Sequence, residues 1–285
     1  MDGLNPAWLV TNAASGSNAE GASEQLEALC SEHGLVFARH TRFPDDDLPD
    51  PAALDAEGVR TLVIFTGDGT VNSLLTRLRG WGGAVLILPG GTMNLVYHRL
   101  HGDRPMEQVV AAMARGDFQL IRPGVIRCDQ GNGYAEVLAG PGTSWGDVRE
   151  AMRDGDVPEL ASSAMRAMEE TLAGDGVACA EPQIARPEGY PLISLRPRGK
   201  GIDIVAYYAE STEEYLEQAL ALVRRNFRDG PHETLGHAAD VRLAGANGQP
   251  FGILVDGEQI PSTVEAGFRL APCEVDLIAT ANDAA

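Results

Sequence analysis

Over roughly the first 120 residues, short runs of β-branched and aliphatic side chains alternate with stretches whose apolar residues recur at helical spacing. A chain with that alternation has few choices, because each strand must be followed by a crossover helix, so that the strands lie parallel in one sheet. The spacing predicts strands at residues 8–12, 35–41, 61–66 and 84–88, and helices at 22–33, 49–57, 71–79 and 106–114. In such sheets ligands sit at the carboxyl ends of the strands, in the loops that lead to helices. After Pro123 the character changes. Strand-like runs at 125–128, 133–139, 192–196, 202–208, 239–243, 251–255 and 275–279 suggest a mostly antiparallel domain, interrupted by helical patterns at 159–172 and 212–227. In the second of these, Tyr215, Leu216, Ala219, Leu222 and Val223 form a stripe that reads as core packing. The stretch 186–201, rich in Pro, Gly and Arg, reads as a mobile loop or domain edge. Two domains follow, 1–122 and 123–285, with the last strand a candidate to pack back on the first.

Charge and composition exclude several classes of function. A formal net charge of −19 argues against a protein that binds by neutralising nucleic-acid phosphates. It also opposes tight adhesion to an anionic leaflet, so any membrane contact must rest on local patches. Lys200 is the only lysine, which excludes a Gly-Lys-Ser/Thr phosphate loop and makes lysine covalent catalysis a poor expectation. Cys30, Cys128, Cys179 and Cys273 are far apart and read as reduced core thiols, and the six histidines show no metal-ligand spacing. The start of the chain lacks the basic residues and long apolar core of a signal peptide, and no window approaches the ~20 apolar residues of a membrane helix. The expectation is a cytoplasmic protein, at most peripheral at the inner membrane face.

Three loops carry the chemistry. The run 61–66 leads into Thr66-Gly67-Asp68-Gly69-Thr70-Val71-Asn72 and then a helix. Glycines there let backbone N–H groups approach a phosphate, and the helix N-terminus adds partial positive charge. Asp68 would be unfavourable beside bare phosphate unless it holds Mg²⁺ or orients a reacting hydroxyl. A second loop, Pro89-Gly90-Gly91-Thr92-Met93-Asn94, again lies between a buried strand and a helix. A third, Asn12-Ala13-Ala14-Ser15-Gly16, follows the first strand. Each alone also fits an ordinary capped turn. Three polar, glycine-bearing loops on one sheet are far harder to explain as turns.

These residues resemble the diacylglycerol kinase catalytic family, which includes sphingosine, ceramide and bacterial lipid kinases. Its Asn-Pro-x-Ser-Gly, Gly-Gly-Asp-Gly-Thr and Gly-Thr-x-Asn signatures correspond, in order, to Asn12 to Gly16, Thr66 to Asn72, and Gly91 to Asn94. A C-terminal Asp-Gly-Glu signature corresponds to Asp256-Gly257-Glu258, with Pro261 beyond. The resemblance implies a Rossmann-like nucleotide domain followed by a β-sandwich domain, with ATP and Mg²⁺ in the cleft between them and a lipid hydroxyl as acceptor. It implies nucleotide binding by Asn12, Ser15, Gly16, Thr41, Thr66, Gly67, Gly69, Thr70, Asn72, Gly91, Thr92 and Asn94. It further implies Asp68 working with Mg²⁺, and a proton acceptor in Glu258 or, as second choice, Asp256. The lipid substrate implies transient contact with a membrane surface. The chain differs from the family pattern at Thr66, where the family has Gly, at Ala13 for Pro, at Ala14 where many relatives have a basic residue, and at Leu95 for Asp. Two other readings share this fold: NAD kinase, disfavoured by Leu95, Val96 and Tyr97 after Asn94, and a nucleotide-binding regulator without catalysis, disfavoured by retention of Asp68, Asp256 and Glu258.

Overall fold

The computed structural model describes residues 2–12, 21–144, 176–184, 186, 188–207 and 232–281. The chain divides into two compact units, Met1–Pro123 with Pro272–Ala285, and Gly124–Ala271.

The first unit alternates β1 (Ala7–Asn12), α1 (Ala22–Glu32), β2 (Phe37–Phe43), α2 (Pro51–Ala56), β3 (Thr61–Thr66), α3 (Asp68–Arg77), β4 (Ala84–Pro89), α4 (Leu95–His101), α5 (Met106–Arg115) and β5 (Gln119–Ile121). β1, β3 and β4 are central: Leu9, Val10, Leu62, Val63, Ile64, Val85, Leu86 and Leu88 are fully buried, as expected for parallel strands covered on both faces. The helices supply the cover with Leu26 and Cys30 from α1, Val71, Leu74 and Leu75 from α3, and Val109, Val110 and Met113 from α5. α2 starts because Pro51 pre-sets its first turn and the Asp50 carboxylate accepts from Ala53 N at 2.8 Å.

The second unit holds β6 (Gly124–Cys128), β7 (Gly131–Gly133), β8 (Val137–Ala139), β9 (Val177–Glu181), β10 (Leu192–Arg198), β11 (Gly201–Tyr207), β12 (His232–Ala238), β13 (Asp240–Gly245), β14 (Phe251–Val255), β15 (Glu258–Thr263) and β16 (Glu265–Pro272). They form two antiparallel sheets, in the orders β12-β11-β10-β8-β14-β15 and β7-β6-β16-β13-β9. One core is shared by both sheets, with Ile193, Ile204 and Ile253 from the first and Ile126, Leu243 and Phe268 from the second. This is the sandwich the family resemblance implied. The helical patterns at 159–172 and 212–227 lie outside the described residues.

The final strand, β17 (Asp276–Ala279), read both as part of the antiparallel run and as a candidate to pack back on the first domain, leaves the antiparallel sheets. It enters the first unit's sheet, parallel to β4 and antiparallel to β5, giving the order β2-β1-β3-β4-β17-β5. Two further corrections concern breaks and continuations. The run at 133–139 is not one strand: β7 and β8 belong to different sheets, and residues 134–136 between them pair with a side chain instead of a ladder. The stretch 186–201 is not mainly loop, because β10 occupies 192–198 and turns through Gly199 (φ +55°) into β11. Gly199 permits a tight hairpin that lets Arg198 pair with Gly201.

Candidate functional site

The strand order places the loops. β1 has β2 on one side and β3 on the other, so the order reverses between β1 and β3, and a crevice is expected at their carboxyl ends. β1 ends at Asn12 and β3 at Thr66, with Thr11 paired to Phe65, and Thr66 pairs with Pro89 at the end of β4. All three sequence-predicted loops therefore leave neighbouring strand ends of one sheet.

The aspartate loop is shorter than the sequence suggested. The helix begins at Asp68, three positions before its expected start, with Gly67 as an extended N-cap that has no side chain to cap with. Asp68, Gly69 and Thr70 thus form the first turn of α3, where backbone N–H groups have no intrahelical acceptor and an acidic residue is favoured by the helix dipole. Asn12 Nδ2 donates to Thr70 Oγ at 3.0 Å, tying the end of β1 to that turn. Asp68 Oδ1 accepts a long bond, 3.4 Å, from Val96 N in the first turn of α4. Asn72 is half-buried in α3.

The second loop is pressed onto the first. A Cβ on Gly91 would lie 2.5 Å from the Gly67 Cα, and one on Gly90 would lie 2.5 Å from both Phe65 C and Thr66 N. No side chain fits at either position, so backbone meets backbone. Gly90 was not singled out from the sequence, although its place in a Gly-Gly pair was the available signal. Asn94 closes the loop on itself: Gly91 N donates to Asn94 Oδ1 at 2.8 Å, Asn94 Nδ2 donates to Gly91 O at 2.9 Å, and Asn94 takes the left-handed conformation (φ +51°) before α4. Thr92 is exposed at the tip.

Not every named residue faces this region. Thr41 is buried within β2, paired with Val10, and its hydroxyl accepts from Trp8 Nε1 at 2.9 Å. The strand runs 37–43 and not 35–41, which moves Thr41 from the strand end to its interior; a ligand-facing role is corrected to a packing role. Thr66 is likewise buried, and its hydroxyl donates to Gly67 O at 3.2 Å. Ser15 and Gly16 lie outside the described residues. Next to Asn12, Thr11 Oγ lies 2.9 Å from His40 Nε2 and Glu27 Oε1 lies 2.9 Å from His40 Nδ1; burial, then Arg42, pull the imidazole below its ordinary pKa.

In the second unit, Asp256 and Gly257 make the two-residue turn between β14 and β15, with φ of +48° and +89° and Val255 paired to Glu258. Asp-Gly is the favoured pair for such a hairpin. The Asp256 side chain, however, is only 2% exposed. Its Oδ2 accepts from Tyr134 N at 2.8 Å, and its Oδ1 from Ala135 N at 2.8 Å and Glu136 N at 3.0 Å. Those bonds occupy the carboxylate, so Asp256 is corrected from candidate base to anchor. The Glu258 side chain is exposed and has no hydrogen bond or ion pair among the described residues, while its backbone pairs with Val255. Sequence reasoning missed Glu136, a buried carboxylate that accepts from Ser194 Oγ at 2.6 Å and Arg196 Nε at 2.7 Å. An acidic residue inside the apolar run 134–139 was the signal. Burial alone would lower the Arg196 pKa, but Glu136 and Tyr207 hold it above its ordinary value.

Residues 6–126 match the family profile described as diacylglycerol kinase catalytic domain. The chain resembles the diacylglycerol kinase catalytic family. The comparison with curated proteins finds no match. Among solved structures, one described as a diacylglycerol kinase from Bacillus anthracis str. Sterne is similar over 96% of this chain and 96% of its own, with a TM-score of 0.60 and 14% identity. Another from the same organism, with a provisional diacylglycerol kinase assignment, gives a TM-score of 0.61 at 14% identity over 96% of this chain and 95% of its own. At that identity the likeness shows the fold: a parallel-sheet unit and an antiparallel unit of the diacylglycerol kinase kind. Among the described residues, no helix is long and apolar enough to cross a membrane, and no group of three or more His, Cys, Asp or Glu side chains could hold a metal.

The arrangement can take an anionic group through its main chain. The opening turn of α3 offers the N–H groups, and the bare backbone of Gly90 and Gly91 packs against Phe65, Thr66 and the N-cap Gly67 beside it. Asp68 is the single carboxylate in the three loops and suits Mg²⁺, which is commonly held by one or two carboxylates together with phosphate oxygens.

Proposed function

We propose that this protein is an ATP-dependent lipid kinase that transfers the γ-phosphoryl group to a hydroxyl of diacylglycerol, ceramide or a similar lipid. The observation that carries the reading is the seating of Gly91 on Gly67, which packs the loops after β4 and β3 together next to the strand-order switch between β1 and β3. In this reading, N–H groups of the first turn of α3 bind the phosphates, and the Gly90-Gly91 loop, whose own N–H groups donate to Leu88 O and Asn94 Oδ1, braces that turn. Asn12 fixes that turn through Thr70, and Asn94 keeps the second loop closed. Asp68 would hold Mg²⁺, which would supply neutralisation of the charge on the phosphate oxygens. The Glu258 carboxylate accepts the proton that the lipid hydroxyl must lose as it attacks, and its exposure leaves it able to do so. A lipid acceptor implies transient contact with a membrane surface, and the net charge of −19 confines that contact to local patches.

The deciding assay incubates the purified protein with γ-labelled ATP, Mg²⁺ and a panel of diacylglycerol, ceramide, sphingoid base and NAD⁺. A labelled lipid establishes the reading and identifies the acceptor. Labelled NADP⁺ alone would replace it with an NAD kinase. ATP binding with no labelled product would replace it with a nucleotide-binding regulator.

A further inference from the structure

A two-residue Asp-Gly hairpin turn asks little of its surroundings, and its Asp side chain ordinarily stays in water. Here Asp256 and Glu136 are both buried, at 2% and 4% exposure. Burying a carboxylate is costly unless it is paired and hydrogen-bonded, and burying two side by side is not explained by hairpin chemistry. Glu136 is where the two meet. Its N–H donates to Asp256 Oδ1 at 3.0 Å and its carbonyl accepts from Asp256 N at 2.9 Å. Its own Oε1 accepts from Ser194 Oγ at 2.6 Å and from Arg196 Nε at 2.7 Å, both on β10. Arg196 Nη2 in turn donates to the Tyr207 hydroxyl on β11 at 2.8 Å. A continuous path of hydrogen bonds therefore runs from the Asp256-Gly257 turn into the middle of the sheet.

The geometry points to Glu136 as a positioning residue for the Glu258 carboxylate, acting through the Asp256 turn. Residues 134–136 lie between two strands of different sheets, so no continuous ladder holds this segment. The Glu136 side chain holds it from one side by gripping β10, and the Asp256 carboxylate holds it from the other. With both in place the turn cannot tilt, and the pairing of Val255 with Glu258 carries that rigidity to the first residue beyond the turn. The assignment rests on the proposed role of Glu258 as proton acceptor.

The test uses the full chain and two readouts. In Glu136→Gln, hydrogen exchange at the amides of Tyr134, Ala135, Glu136 and Asp256 should accelerate about tenfold or more while amides of the β13–β16 pair keep their protection. In lipid phosphorylation, kcat should fall about tenfold with the KM for ATP within twofold of wild type. A second variant, Glu136→Gln with Arg196→Met, removes both charges of the Glu136–Arg196 pair and should recover the thermal midpoint while leaving exchange fast and kcat low. Unchanged exchange in Glu136→Gln, or recovery of kcat in the double variant, overturns the assignment. Were the wild type to phosphorylate no lipid, the kinase reading would fall, and the exchange measurements would still decide whether Glu136 holds the turn.

Discussion

Replacing Gly91 by Ala tests the cradle directly. The added Cβ would stand 2.5 Å from the Gly67 Cα, 3.3 Å from the Gly67 N and 3.2 Å from the Asn94 Oδ1. Carbon atoms prefer about 3.5–4.0 Å, so the two loops must separate by about 1 Å. Neither can yield cheaply, because the nearest atom is backbone and Gly67 caps α3. Overpacking of this kind costs about 1–3 kcal/mol, which in a chain of this size lowers the thermal midpoint by several degrees, at about 2–4 °C per kcal/mol. The effect on ATP should be larger than the effect on stability. Misplacing one N–H that bonds a charged phosphate oxygen loses about 1.5–3 kcal/mol, or about 10- to 100-fold in Kd. Isothermal titration with Mg-ATP and a thermal melt give both quantities. Gly82→Ala is the control, since a Cβ there meets nothing within 4 Å, and it should be silent in both. Gly91→Ala binding ATP within threefold of wild type would refute the claim that the two loops act as one phosphate site.

Four other outcomes are expected. Glu258→Gln, at an exposed position, should change stability by no more than about 0.5 kcal/mol and leave ATP affinity intact while lowering lipid phosphorylation by about 100-fold or more, as radiolabel transfer would measure; full activity would remove Glu258 as the base. Asp256→Ala deprives three backbone N–H groups of their acceptor and should cost about 3 kcal/mol in urea unfolding, with Asp256→Asn, which keeps one acceptor oxygen, losing roughly half as much. His101 is buried against Thr280, and burial holds its pKa at about 4. It binds a proton more readily unfolded than folded, so stability is complete above the ordinary value near 6.5 and falls by about 3 kcal/mol as pH drops to 4; His101→Gln should flatten that part of the stability–pH curve. Chelation of Mg²⁺ should weaken ATP binding by at least about 100-fold, because a carboxylate about 4 Å from one phosphate charge costs about 4 kcal/mol at an effective dielectric near 20; equal affinity in EDTA would dissociate Asp68 from the metal.

How much of this was legible varies with the physics of each element. β3 and β4 were readable nearly to the residue because buried parallel strands are continuous apolar runs, and 61–66 and 84–88 are such runs. β12, with the sequence HETLGHA, carries almost no β-branched or aromatic signal and was missed, as were the short edge strand β5 and the hairpin strand β15. α3 was placed late because its hydrophobic periodicity begins at Val71, whereas its start is set by Gly67 and Asp68, which carry capping and dipole information but no apolar period. Thr41 shows how a two-residue shift in a strand boundary moves a hydroxyl from the strand end to its interior. At the end of a strand its hydroxyl could meet a ligand, and two positions inside, it meets Trp8. The inward turn of the Asp256 carboxylate depends on residues 134–136, more than 100 positions away in the chain, and nothing local to Asp-Gly-Glu reports it.

The electrostatics explain why the candidate phosphate site is made of glycine and main chain. The chain has a net charge of −19 and no Lys or Arg in the loops 12–16, 66–72 and 89–94, so these loops bring no cationic side chain to a polyphosphate, and long-range attraction works against an anionic ligand. Fixed N–H dipoles avoid that limit, since they act only at contact distance and lose little on ordering. They do, however, need the turn that carries them held in place, and the Gly90-Gly91 loop packs backbone on backbone against its start, which is the physical reason a Cβ there collides with Phe65, Thr66 and Gly67. Thr66 tolerates its β-branched side chain because it still belongs to β3, buried and bonded to the Gly67 carbonyl, one residue before the point where the cradle must be bare. The departure from the family's glycine at this position thus falls on the strand side of the boundary, and the requirement for an uncovered backbone begins at Gly67.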